Sequence, residues 1–261
     1  MSFLNLTGKV FLISGVANKK SVATHVAQTL ISEGARCLFT VQKTEQITQV
    51  EKLFPGSPVF VCDVASQDDI NSLTSKINTQ LDGFLHSLAF ANFSEGPKAF
   101  HETLRRDYLE ASQISCFSLV EMTRALKPHF TPTASIVTIS ISNTRATSYG
   151  YLGPIKAMLD STVAYLAKSL SADSHIRVNA VGAGPLKTSA SAGIPNYIEN
   201  YLFAEALTLR KKALETQEVA NSVTFLLSAR SSGINATTVL VDAGMSCNGF
   251  DQDVVQKYAK D

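Results

Sequence analysis

The stretch Val10-Phe-Leu-Ile-Ser-Gly-Val-Ala-Asn-Lys-Lys-Ser-Val-Ala23 decides the fold of this chain. Val10 to Ile13 form a continuous apolar run that ends at Ser14-Gly15. Beyond a polar loop the apolar residues return as Val22, Ala23, Val26, Ala27, Leu30 and Ile31, at the spacing of one helical face. This change of period predicts strand, tight turn and helix. Gly15 lets the backbone approach a ligand closely, and the N–H groups opening a helix near Ser21 make an anion site that suits a pyrophosphate. The spacing is not G-x-G-x-x-G, so the same residues also read as an ordinary βα turn with a capped helix.

The rest of the chain repeats this pattern. Cys37–Val41, Pro58–Cys62, Phe84–Leu88, Ser135–Ser140, Ile176–Val181 and Thr237–Asp242 are six further β-like runs, separated by helical stretches that include 108–126, 157–170 and 217–227. Strands alternating with helices predict parallel pairing through right-handed crossovers. The expected fold is therefore α/β, a Rossmann-type doubly wound sheet of about seven strands in one domain over 1–261. No repeat or linker divides it. The glycine- and proline-rich stretch 182–200 follows the sixth strand, where open α/β sheets bind ligands, and reads as a substrate lid at about 189–201. The last eleven residues, 251–261, are polar and read as a loose tail.

Composition narrows the function. With 261 residues, 45% hydrophobic and 17% charged, the chain can bury a large core. Its 23 basic and 22 acidic residues give a net charge of +1, too little field to attract nucleic acid or an anionic membrane. The N-terminus carries no basic leader and no apolar run reaches membrane-spanning length, so the expected location is the cytoplasm. The four cysteines Cys37, Cys62, Cys116 and Cys247 form no C-x-x-C pair. They read as free thiols, mostly buried, with no metal-ligand pattern.

Two clusters carry the chemistry. The second strand ends Thr40-Val-Gln42-Lys43, which is neither the acid that selects NAD nor the cation that clearly selects NADP. Asp63 ends the third and reads equally as a contact for adenine, with Val64 beside the ring, or as a helix cap. Past the fifth strand stand Tyr149 and Lys156. Seven residues turn a helix by about 700°, so both would share a face if the segment were helical. Pro154 lies between them. Because proline is tolerated only in a first helical turn, the helix should start near Gly153 and leave Tyr149 in the preceding loop, with Tyr151 as a rival donor.

Gly15-Val-Ala-Asn-Lys-Lys-Ser-Val22, Phe39-Thr-Val-Gln42, Cys62-Asp63-Val64, His86-Ser-Leu-Ala-Phe90, Tyr149 with Lys156, Ala183-Gly-Pro-Leu-Lys-Thr188 with Ala192-Gly-Ile194, and Val241-Asp-Ala-Gly244 occur in this order over nearly the whole chain. In these segments it resembles the enoyl-acyl-carrier-protein reductases, the NADH-dependent branch of the short-chain dehydrogenases in fatty-acid synthesis. The Y-x6-K spacing is the most specific feature. The superfamily's carbonyl reductases use Y-x3-K, which here would need tyrosine at Leu152.

The resemblance implies that Gly15, Ser21 and Val22 hold the pyrophosphate, Gln42 the adenosine end, and Asp63 and Val64 the adenine. Ser87, Leu88 and Ala89 would line the ribose and nicotinamide side, Lys156 would bond the nicotinamide ribose, and Leu186 and Thr188 would fix the carboxamide. It implies NADH as cofactor with NADPH left open by Lys43, Tyr149 as donor to the substrate, and Ala91 and Tyr197 beside the acyl chain. It also implies an acyl-carrier protein as partner and a homotetramer. Tyr197 reads as well as core, and His86 as a structural residue at a strand end.

Four departures from the pattern stand out. His25 replaces a glycine on the first helix. Ile141 replaces an aromatic residue after Ser140, in a shortened loop. Pro154 interrupts the Tyr-Lys pair. The segment Gly193–Tyr201 lacks the basic residues that meet the carrier, with Arg210-Lys-Lys212 as possible replacements or as plain solvated surface. These leave room for a coenzyme A thioester, another enone or carbonyl, or a weakly catalytic dinucleotide-binding protein.

Overall fold

In the computed structural model, which describes residues 2–96, 98–188 and 197–259, seven strands form one parallel sheet in the order β3-β2-β1-β4-β5-β6-β7. They are β1 (Val10–Ser14), β2 (Arg36–Val41), β3 (Val59–Val61), β4 (Leu81–His86), β5 (Phe130–Ile141), β6 (Arg177–Ala183) and β7 (Thr238–Val241). The order reverses between β1 and β4, the switch point where such sheets open a crevice beyond the carboxyl ends of their strands. Central strands are apolar on both faces because helices cover both. In β1, Val10 and Leu12 enter one core while Phe11 and Ile13 enter the other. Ile136 and Val137 of β5 divide in the same way.

The α-helices among the described residues are α1 (Val22–Ser32), α2 (Ile47–Leu53), α3 (Gln67–Lys76), α4 (Arg105–Ser112), α5 (Ser118–Leu126), α6 (Leu152–Leu170), α7 (Tyr197–Leu207), α8 (Thr216–Leu227) and α9 (Gln252–Tyr258). Residues of α3, α5 and α6 fill one core, and those of α1 and α8 the other. No described helix is long and apolar enough to cross a membrane.

The seven expected strands are present, with shifted ends. β4 begins at Leu81 rather than Phe84 because Asp82, polar on paper, accepts hydrogen bonds from Val10 N (2.9 Å) and Lys9 Nζ (3.0 Å). The helix expected over 108–126 is broken by a π-helical segment, Gln113–Phe117, between α4 and α5. α6 starts at Leu152, close to the Gly153 that Pro154 predicts. The end of the chain corrects the sequence reading. Asp251 accepts from the N–H groups of Asp253 and Val254, and Val254 is buried, so α9 forms where a loose tail is expected. Of the expected lid, 189–196 with Ala192-Gly-Ile194 lie outside the described residues, and 197–201 open α7. Cys37, Cys62 and Cys116 are buried free thiols, whereas Cys247 is exposed.

Candidate active site

Most described residues of the expected site follow the carboxyl ends of β1 to β6, while Lys156 lies on α6 and Tyr197 opens α7. Gly15 leaves β1 with φ of 101°, and a Cβ there would stand 2.0 Å from the Ser87 carbonyl oxygen. Only glycine fits that crossing. Ser21 is the residue before α1, yet its side chain caps nothing: Oγ donates to Asn18 O (3.0 Å) and pairs with Thr24 Oγ1 (2.8 Å). No acidic residue occupies the first turn. The helix therefore presents uncapped N–H groups at Val22 and Ala23 to an anion, and this geometry fits a pyrophosphate.

At the far end of the crevice, Gln42 Nε2 donates to Asp63 Oδ2 (3.1 Å), joining the ends of β2 and β3. Asp63 also accepts from Ala65 N (2.9 Å). It is not the cap of α3, which is Ser66, so its carboxylate is set facing Gln42. Val64 is buried beside it. Lys43 is exposed at the same strand end.

Ser87, Leu88, Ala89 and Ala91 follow β4, and Ser87 N still bonds Ser14 O (3.2 Å). Beyond that the loop depends on Ser115, whose hydroxyl accepts from Phe90 N (2.8 Å) and donates to Phe90 O (3.0 Å). Ser115 lies in the π-helical segment, and insertions of this kind often sit at functional sites. Sequence reading missed it. The available signal was serine at 112, 115 and 118 in an otherwise helical stretch. His86 is fully buried, with Nδ1 bonded to Thr138 Oγ1 (2.9 Å) and Nε2 to Ser118 Oγ (2.8 Å). Both ring nitrogens are engaged, in keeping with its structural reading.

Tyr149 closes a short 3-10 turn (Thr147–Tyr149), and Gly150, φ 60°, turns the chain into α6. Tyr149 and Lys156 thus do not share one helix. Among the described residues the Tyr149 hydroxyl makes no hydrogen bond, and burial raises its phenol above the ordinary 10. Tyr151, the rival, donates to Asn92 O (3.1 Å) and packs on Phe93 and Tyr108. Its hydroxyl is committed to the loop, and Tyr149's is free to act. Lys156, in the second turn of α6, is buried, and Nζ donates to Ile139 O (2.7 Å). An ammonium has three protons, so two remain for a ligand. Burial lowers its pKa from 10.5 to about 8, partly opposed by Asp160. Ser140, at the end of β5, has a buried hydroxyl with no partner among the described residues.

Leu186 and Thr188 follow β6. Thr188 N donates to Leu186 O (3.0 Å), while the Tyr197 hydroxyl accepts from Leu186 N and donates to Leu186 O, both at 2.8 Å. Tyr197 also raises the pKa of Tyr149 through their electrostatic interaction. Hydrogen bonds thus join Gln42 to Asp63 and Leu186 to Tyr197, and the described site residues follow β1 to β6 in the chain.

The family model for enoyl-(acyl carrier protein) reductase matches residues 15–246. The chain belongs to that family. It is 35% identical over 258 residues to the NADH-dependent enoyl-acyl-carrier-protein reductase of Nostoc sp., covering 95% of this chain and 100% of the relative. It is 33% identical over 251 residues to the NADPH-dependent enzyme of Staphylococcus aureus, covering 92% and 98%. The crystal structure of the NADH enzyme from Aquifex aeolicus superposes with a TM-score of 0.88 at 32% identity, covering 94% of this chain and 98% of that one.

Within the family's pattern, two departures now have a structural account. His25 Nδ1 bonds Gln217 Oε1 (3.0 Å), so the side chain fills the seam between α1 and α8. Arg210 forms two 2.6 Å bonds with Glu218, Lys211 pairs with Asp251, and Lys212 with Glu215 (2.7 Å). Each of the three cations is matched by an acid.

Proposed function

We propose that this protein uses NADH to reduce the trans-2 double bond of an enoyl thioester in fatty-acid synthesis, with the acyl group on an acyl-carrier protein. The observation that carries this reading is the division of labour between two tyrosines: Tyr151 is bonded to Asn92, while Tyr149 keeps a protonated hydroxyl that has no partner among the described residues. The family's Y-x6-K spacing and its NADH-dependent relatives support it.

The residues fit a nicotinamide dinucleotide. The uncapped start of α1 with Gly15, Ser21 and Val22 would hold the pyrophosphate, Gln42, Asp63 and Val64 the adenosine, and Ser87, Leu88 and Ala89 the ribose and nicotinamide side. Lys156 would hold the nicotinamide ribose, and Leu186 and Thr188 the carboxamide. When bound, the reduced nicotinamide supplies a hydride. Reduction at the β-carbon of the enoyl group places negative charge on the thioester oxygen, several bonds away. Tyr149 donates to that oxygen, from a turn that stands before α6 rather than on it. A fixed donor to a developing oxyanion is worth about 3 kcal/mol or more in a water-poor site. The Lys156 ammonium adds favourable charge, and Ala91, Tyr197 and the segment 189–201 would enclose the acyl chain. Gln42 in place of an acid or arginine favours NADH without repelling the extra phosphate of NADPH.

The pairing of Arg210, Lys211 and Lys212 favours a second reading of the carrier: the acyl group is also accepted from coenzyme A. The protein would work in the cytoplasm as a homotetramer. The test is NADH oxidation, followed by absorbance, with trans-2-enoyl thioesters on both carriers. Tyr149→Phe should lower kcat at least 100-fold with NADH binding retained, while Tyr151→Phe lowers stability more than kcat. Equal turnover by the parent chain and Tyr149→Phe would remove Tyr149 as the donor.

A further inference from the structure

The hydroxyl of Tyr197 is bonded to the backbone of the chain itself. It accepts from the N–H of Leu186 and donates to the carbonyl of the same residue, both at 2.8 Å. Leu186 and Tyr197 are 6% and 7% exposed, so bulk water has little access to replace either bond. Thr188 N also donates to Leu186 O (3.0 Å), so that carbonyl is shared between Thr188 and the phenol. A donor and an acceptor side by side on one backbone residue match a primary carboxamide, which offers N–H and C=O with the same spacing. A phenol, with one proton and free lone pairs, is the side chain that can satisfy both at once.

We infer that Tyr197 is a self-ligand: its hydroxyl occupies the Leu186 amide pair and must withdraw before a nicotinamide carboxamide can bind there. This rests on the reading of the crevice as a nicotinamide site. The consequence is selective. Dinucleotides ending in a carboxamide must exchange two buried hydrogen bonds for two of their own, whereas ADP-ribose, which lacks the nicotinamide, leaves the contact in place. Tyr197 opens α7, whose Ile198, Leu202 and Phe203 are exposed. The exchange therefore couples cofactor occupancy to the helix beside the substrate. It also changes the surroundings of Tyr149, which interacts electrostatically with Tyr197.

The experiment is calorimetric titration of the parent chain and of Tyr197→Phe with NADH and, separately, with ADP-ribose. Removing two competing bonds should tighten NADH about tenfold and leave ADP-ribose unchanged. Unchanged ADP-ribose affinity also shows that the variant is folded. NADH binding both chains equally would overturn the self-ligand while leaving the nicotinamide reading intact. An equal change for NADH and ADP-ribose would overturn it as well, because the effect would then lie in the fold. If ADP-ribose binds both chains and NADH binds no tighter than ADP-ribose to either, the nicotinamide reading itself fails. Should the variant lose ADP-ribose, hydrogen exchange on the parent chain carries the test. NADH, and not ADP-ribose, must alter exchange in the peptide beginning at Tyr197, and identical exchange with both would overturn the inference.

Discussion

Lys156 shows how one residue can pull activity and stability in opposite directions. Burial lowers its pKa from 10.5 to about 8. In the proposed reaction the ammonium supports charge on the substrate oxygen, so kcat/KM should fall as pH rises through about 8. Tyr149, raised above 10 by burial, stays protonated across that range. The pH profile therefore reports the lysine, and Lys156→Arg should remove the falling limb. For stability the sign reverses. Between about 8 and 10.5 the unfolded chain holds a proton that the folded chain has released, so stability should rise with pH in that window. Denaturant midpoints and rate profiles on the same samples check both directions, and a falling limb that survives in Lys156→Arg would assign it elsewhere.

At the scale of elements, His86 joins three of them: β4, which carries it, β5 through Thr138, and the start of α5 through Ser118. Its ring is neutral in the fold, because complete burial and the charge of Lys156 lower its pKa from 6.5 to about 3. The folded state thus resists protonation that the unfolded chain accepts. Stability from this group is present above pH 6.5 and is lost as pH falls toward 3, at about 1.4 kcal/mol per pH unit. Glu218 and Asp251, held down to about 2 by Arg210 and Lys211, add their own losses only below their ordinary carboxylate values of 4.5 and 3.8. The window from 6.5 to 4.5 is therefore diagnostic. His86→Gln should flatten the fall of the denaturant midpoint there, and an unchanged slope would show that another group carries it. The π-helical segment ahead of α5 also holds Ser115 against Phe90, so the same junction fixes the loop after β4.

At the scale of the whole molecule, exposed apolar side chains occur on many elements, α4, α6 and the π-helical segment among them. Leu109 of α4, Phe117 of the π-helical segment, and Met158 and Tyr165 of α6 are exposed by 60%, 51%, 40% and 79%. Exposed apolar side chains of this size can be covered by association. If the proposed homotetramer covers them, sedimentation equilibrium should give the mass of four chains. Phe117→Asp should shift that mass downward with the spectrum of the folded chain retained, whereas a parent chain that sediments as a monomer would remove the assembly.

The sequence by itself determined the sheet, its seven strands and the crevice. Continuous apolar runs alternating with helical spacing admit few arrangements, and Gly15, Gln42 and Asp63 each fall just beyond a strand end, with Tyr149 and Lys156 following β5 in a turn and on α6. Pro154 alone was enough to place Tyr149 outside α6, because its ring cannot enter a helix interior. Tertiary structure decided what depends on partners distant in the chain. Asp82 extends β4 by bonding Val10. Asn92 takes the hydroxyl of Tyr151, which favours Tyr149 as the proposed donor, and acids at 215, 218 and 251 pair with the cations at 210–212. Asp251 turns a polar tail into a helix by satisfying its first N–H groups while Val254 is buried. Tyr197, which reads as an acyl contact or a core aromatic, is buried and its hydroxyl bonds Leu186. A hydroxyl's partner is set by which backbone groups the fold brings within reach, and no local pattern of residues encodes that.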